Sequence, residues 1–207
     1  MMTYYRTDDQ VIHEEEKLSD GVWVQMINPT HDECEEIAEK LMVDIDDAVS
    51  YTHLRAHDEC EEIAEKLMVD IDDVKAALDV EESSRIELQD GYTLILVDIP
   101  AIEIRHDQRT YTTIPLGIIL TQDIIVTVCT EDTPVLQNFV RSRVKEFSTK
   151  KKLRFVYQIL YRTAAIYQAN LRIIDKRRTE IEERVGSDTD DSDLINLHEL
   201  ESCLLYT

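Results

Sequence analysis

Up to Cys129 the apolar residues of this chain mostly alternate or run in short blocks; beyond Lys152 they recur every three or four positions. The first pattern predicts strands and the second a long helix. Met2–Arg6 and Val11–Glu14 read as an initial hairpin, with Val22–Ile27 as the next strand. Thr30 opens helical material that extends to Asp79. There Pro29 stands just before, Thr30 takes the N-cap and Glu33 follows three residues on, a capping-box arrangement. Ser84–Leu88 reads as a charged rim strand that turns at Asp90-Gly91 into Tyr92–Ile104. The apolar run at the start of that second strand predicts a central position, covered on both faces. Pro100, which has no amide donor, marks an edge or bulge where the strand leaves the sheet centre. Thr110–Leu120 and Ile124–Cys129 form a further hairpin across Thr121-Gln122-Asp123, and Pro134 opens a helix through about Phe147.

Beyond Lys150-Lys151-Lys152 the period changes. Leu160, Ala164, Tyr167, Leu171, Ile174, Ile181 and Val185 step in a heptad-like way, interrupted at Arg178, so a long helix is expected to pack against another helix. Gly186-Ser187-Asp188 breaks it. Leu194, Leu197, Leu200 and Leu204 then mark a returning partner.

Residues 31–47 and 57–73 are the same seventeen letters, HDECEEIAEKLMVDIDD, offset by 26 residues. Natural repeats diverge and need about three copies to build a continuous core. Two identical copies joined by an adaptor-like Ala48–Ala56 instead indicate an artefactual duplication with one surplus copy. Only the first copy has a helix start; only the second runs on into Val74–Asp79, a further helix. The repeat places His31 with Cys34 and His57 with Cys60 at helical spacing, which superficially suggests zinc. Cys34 shares its face with Ile37, Ala38, Leu41 and Met42, so the expectation is a small buried cysteine.

Composition narrows the function. The formal net charge is −22, from 44 acidic and 22 basic residues, which excludes a nucleic-acid partner and favours cations. The four cysteines form no C-x-x-C pair, no signal peptide is visible, and no apolar run approaches the ~18 residues of a membrane span. No catalytic motif stands out, and an enzyme is not expected. Asp188, Asp190, Ser192, Asn196 and Glu199 echo a calcium loop, but its required glycine is replaced by Asp193. An acidic helix-connecting tip is the better reading.

The order of pieces is more telling than any one of them. Gly21-Val22-Trp23-Val24-Gln25-Met26-Ile27-Asn28-Pro29-Thr30 leads into an acidic helix. Ser84-Arg85-Ile86-Glu87 follows, then Asp90-Gly91-Tyr92-Thr93-Leu94-Ile95-Leu96-Val97-Asp98-Ile99-Pro100, a hairpin and a long charged helix. This order resembles the cytosolic amino-terminal domain of CorA-like magnesium transporters, although that family's Gly-Met-Asn pore motif does not occur here. The resemblance implies an α+β fold, an α/β/α layered domain on a mixed sheet over residues 1–149, followed by a helical stalk-like hairpin over 150–207. It also implies a homopentamer on the cytoplasmic face of the cell membrane, joined to the bilayer only through segments outside this chain. Magnesium and cobalt would be transported, and regulatory Mg²⁺ would lie between subunits. By position, Glu103 and Asp107 are the ligand candidates on the α/β side. The competing class is a soluble acidic interaction module.

Overall fold

The computed structural model describes residues 1–9, 11–49, 69–105, 108–185, 195, 197–198 and 200–201. Its strands are β1 Met2–Asp8, β2 Val11–Glu15, β3 Trp23–Ile27, β4 Arg85–Leu88, β5 Thr93–Arg105, β6 Gln108–Leu120 and β7 Ile125–Cys129. Its helices are α1 His31–Val49, α2 Ile71–Lys75 (extended by a 3₁₀ turn, Ala76–Leu78), α3 Pro134–Val140 and α4 Lys152–Val185. The strands form one seven-stranded sheet in the order β2-β1-β3-β7-β6-β5-β4. Only β3 and β7 run parallel; every other pair is antiparallel. The expected α+β fold with a mixed sheet is therefore what the chain adopts.

Period-two alternation deals the side chains to two cores. Val22, Val24 and Met26 join Cys34, Ile37, Leu41, Val74 and Ala77 beneath α1 and α2. Trp23 on the same strand turns to the opposite face, with Ile125, Leu136, Phe139, Phe147, Phe155 and Ile159 beneath α3 and α4. The central strand is β7, buried at all five positions. β5, expected there from its apolar run, is second from the edge, since β4 alone lies outside it and covers it only as far as Leu96. The rim assignment for β4 holds. Gly91, at φ 94°, makes the turn between them, and Gln89 donates to the Tyr92 carbonyl at 3.0 Å. Asp98 donates its N–H toward β4, to Ser84 Oγ at 3.1 Å. Pro100, two residues on, aims its missing donor at the same side, which is by then an open edge. Gly117 is required for another reason: a β-carbon there would lie 2.9 Å from that of Ala77.

The capping box at the start of α1 forms as read. Glu33 N–H donates to Thr30 Oγ1 at 3.2 Å, and Thr30 N–H donates to Glu33 Oε2 at 2.9 Å. These bonds, with the nearby N-terminal ammonium, hold the Glu33 carboxyl below its ordinary pKa. Cys34 is fully buried, as its apolar stripe predicts.

Two other expectations fail. The helix opened by Pro134 stops at Val140 rather than near Phe147. Ser142 takes φ 53°, donates to the Phe139 carbonyl at 2.9 Å, and Arg143 donates to that of Asn138 at 2.9 Å. This Schellman closure turns the chain so that Phe147 enters the core. In α4 the buried stripe is Phe155, Val156, Ile159, Thr163, Ile174 and Ile181, while Leu160 and Leu171 of the expected seam are exposed. The first turns of α4 pack on the sheet and on the short helix α3, where Phe155 meets Phe139. The returning segment does contribute Leu200, which packs on Tyr111 and Ile174.

Identical sequence adopts two local structures in the repeat. Asp44 lies within α1, whereas Asp70, its counterpart, is extended and caps α2 by accepting from Asp72 N–H at 2.9 Å. Tertiary contacts decide the difference. The Tyr92 hydroxyl accepts from Asp70 N–H at 3.2 Å and donates to Asp73 Oδ2 at 2.5 Å; burial and this bond push Tyr92 up to about 12. The start of the first copy and the end of the second thus supply one core, through Cys34, Ile37, Leu41 and Val69. Deleting residues 42–67, one 26-residue period, should leave the far-ultraviolet circular dichroism intact and the thermal midpoint unchanged or a few degrees higher, since long insertions carry only a slowly growing loop entropy, about 0.6 kcal/mol per doubling. A molten or unfolded deletion variant would contradict this.

Candidate functional site

β4 pairs with β5 only through Leu96, and β7 pairs with β6 only from Leu116 onward. The rest of β5 and β6 therefore projects from the sheet as a two-stranded ribbon, paired in register as far as Arg105 and Gln108. Ser84 fixes its base: Ser84 Oγ donates to Asp98 Oδ2 at 3.0 Å and accepts the Asp98 N–H. α4 supports its outer part. Tyr111 and Ile174 are buried together, and Arg177 Nη1 donates to the Arg109 carbonyl at 3.4 Å. Tyr167 is pushed up to about 12 by burial and by the neighbouring Asp98 charge.

Glu103 lies on this ribbon, exposed and opposite Thr110. The sequence reading ended one strand at Ile104 and began the next at Thr110. In the fold the strands continue on both sides of residues 106–107, because Ile102 and Ile104 keep the alternation and Thr110–Thr113 supply strand-forming partners. Ile102 and Ile104, 42% and 75% exposed, lie on the opposite face of the strand from the carboxylate. Asp107 lies outside the described residues.

Of the zinc-like His/Cys spacing only the first half falls on described residues. His31 pairs with Glu35 at 3.1 Å, on the solvent side, while Cys34 is buried; His57 and Cys60 lie outside the described residues. So do Asp188, Asp190, Ser192, Asp193, Asn196 and Glu199 of the calcium-like spacing. Among the described residues no group of three or more His, Cys, Asp or Glu side chains is placed to hold a metal ion. Cys129 is buried beside Asp132, and its thiol is pushed up to about 12, far from the reactive thiolate. The triple lysine marked the start of α4 in the sequence. What sequence periodicity did not bring out is the wider cationic surface around it, described below.

The CorA-like Mg2+ transporter protein family model matches residues 46–207. The chain belongs to this family. The match takes in the second copy of the repeat and leaves out most of the first. A search of the curated proteins finds no match. Among solved structures, the soluble domain of CorA from Methanocaldococcus jannaschii is similar at 17% identity and TM-score 0.74, covering 100% of this chain and 72% of its own. The complete CorA magnesium transporter from the same organism is similar at 16% identity and TM-score 0.69; this chain spans 57% of its length. The ZntB cytoplasmic domain from Vibrio parahaemolyticus is similar at 11% identity and TM-score 0.54, covering 99% of this chain and 71% of its own. At these identities the structures establish a shared fold. Among the described residues no helix is long and apolar enough to cross a membrane.

If α4 holds the ribbon through Tyr111 and Ile174, Ile174→Ala should loosen it selectively. The outer β5–β6 amides should exchange hydrogen at least tenfold faster while β3 and β7 stay protected, at a global cost near the low end of ~2–5 kcal/mol for such truncations. Uniform acceleration across the sheet would show that the ribbon has no separate support.

Proposed function

We propose that this chain is the cytosolic, cation-sensing part of a homo-oligomeric magnesium transporter. Hydrated Mg²⁺ lies between neighbouring subunits, held on the α/β side by Glu103 and Asp107. The family match over residues 46–207 carries this reading. The fold shared with the soluble domain of CorA supports it. Transport itself is assigned to membrane segments outside this chain, with Co²⁺ as a second cargo.

The chemistry of the ribbon suits a shared site. Mg²⁺ dehydrates reluctantly and is usually held through one or two carboxylates and several waters, so each copy need supply only part of the ligand set. Glu103 is exposed on a projecting ribbon, a surface that a second copy would cover. Without the cation, facing carboxylates ~4 Å apart repel by about 1–4 kcal/mol in watery to surface-like dielectrics. Each site filled at ten times its dissociation constant favours the bound state by about 1.4 kcal/mol. Five such sites in a pentamer give about 7 kcal/mol, above the ~5.5 kcal/mol that moves a two-state balance from 1:99 to 99:1. Falling Mg²⁺ then releases the closed assembly, and the domain acts as a feedback sensor.

Millimolar Mg²⁺ should raise the thermal midpoint of the chain, and Glu103→Ala with Asp107→Ala should remove that rise without lowering the midpoint in EDTA. An unchanged response in the double variant would exclude these two residues. A chain that stays monomeric and indifferent to Mg²⁺ would favour the acidic interaction module instead.

A further inference from the structure

We propose that a pocket at the foot of α4 binds a nucleoside polyphosphate, its flat ring against Tyr157 and Tyr161 and its phosphates against Arg143, Lys145 and Arg162. The site goes beyond the cation reading, since its ligand is an organic anion and its residues are not those of the ribbon.

Charge is the first observation. In a chain of net charge −22, the fourteen residues 141–154 hold seven Lys or Arg and a single acidic residue, Glu146. A cationic surface so concentrated against the overall charge attracts what the rest of the molecule repels. Geometry is the second. The loop after α3 and the early turns of α4 border an open pocket of about 290 Å³, lined by Arg143, Val144, Lys145, Tyr157, Gln158, Tyr161 and Arg162. This lies at the lower end of the usual ~300–1,000 Å³ for small-ligand pockets. Among the described residues none of its three cations meets a carboxylate. Glu146 is taken by Arg154, and Arg162 Nη2 reaches only the Arg143 carbonyl at 3.4 Å.

The aromatic residues supply the third observation. Tyr157 and Tyr161, one helical turn apart, are 67% and 63% exposed, with ring centroids 6.5 Å apart and planes within 24°. Two nearly parallel phenol rings held open to water among guanidinium and ammonium groups form a stacking surface for a planar ring on a polyanion. An acidic peptide would use the cations and leave the rings idle. Between them, Gln158 Nε2 donates to the Lys145 carbonyl at 3.1 Å, while its Oε1 is buried and without a partner, an acceptor suited to a ring N–H donor. The loop wall is also held in unusual backbone geometry, with Ser142 at φ 53° and Glu146 at φ 55°.

The test is calorimetric titration of the full chain with ATP and, separately, with inorganic tripolyphosphate, both in EDTA so that Mg²⁺ plays no part. ATP should bind with a Kd below about 1 mM. Tyr157→Ala should weaken ATP by about 5- to 150-fold, the range for losing one stacked base, and Tyr157→Phe should retain it. Tripolyphosphate should bind more weakly than ATP and ignore Tyr157→Ala. Arg143→Ala with Arg162→Ala should weaken both ligands, and added salt should do the same. These side chains are exposed or half-buried, so an unchanged circular dichroism spectrum will verify the fold of each variant. No heat with ATP, tripolyphosphate binding as tight as ATP, or an ATP affinity indifferent to Tyr157→Ala would each overturn the proposal.

Discussion

The single tryptophan and all three phenylalanines of this chain meet in one place, and the rest of the architecture is arranged around that contact. Trp23 on β3 touches Phe139 on α3, Phe147 on the loop after it and Phe155 on α4, at ring-centroid distances of 6.4, 6.2 and 4.9 Å. The three phenylalanines also pack edge-on against one another. Such pairs add about 0.5–1.5 kcal/mol each beyond the area they bury. Trp23 is fixed in orientation because its indole N–H donates to Thr127 Oγ1 at 2.8 Å across the parallel β3–β7 pair. One knot therefore joins the sheet centre, a short helix, a loop and the root of the long helix.

That knot gives α4 its mechanical character. The helix has 34 residues, about 51 Å at 1.5 Å per residue. Its first turns are locked into the sheet core, and further along Ile174 braces the β5–β6 ribbon that carries Glu103. A displacement at the ribbon is thereby tied to the helix, and through the helix to the sheet. A cation bridging two ribbons would act on a stiff lever rather than a loose strand. The cationic pocket lies at the other end of the same helix, where Arg143 and Tyr157 flank the aromatic knot without entering it.

Elements whose local chemistry and tertiary setting agree were readable from sequence. The Thr30–Glu33 capping box and the Asp90-Gly91 turn need only neighbours along the chain, and both form. Errors arose where a distant partner decides. The apolar run that opens β5 suggested a central strand, yet centrality depends on how β3 and β7 order in the sheet, which no single strand encodes. The helix from Pro134 lacked an internal stop signal; its end is set by Ser142 adopting a left-handed turn that lets Phe147 reach Trp23. The α4 seam was half right, because Ile174 and Ile181 lie on the buried stripe. Thr163, buried in the same stripe, carries no apolar signal. The two copies of the repeat make the same point most directly, since Asp44 and Asp70 share a sequence and differ in structure. At the candidate site only Glu103 could be placed, because Asp107 lies outside the described residues.

Because Trp23 is the sole tryptophan, its fluorescence reports on the knot alone. The most direct measurement follows Trp23 emission and helical circular dichroism together through a urea titration. If sheet and α4 are one cooperative body, the two curves coincide with a single midpoint and slope. Helix lost at lower urea, with Trp23 still buried, would mean that α4 is an independent appendage, and the lever would lose its foundation.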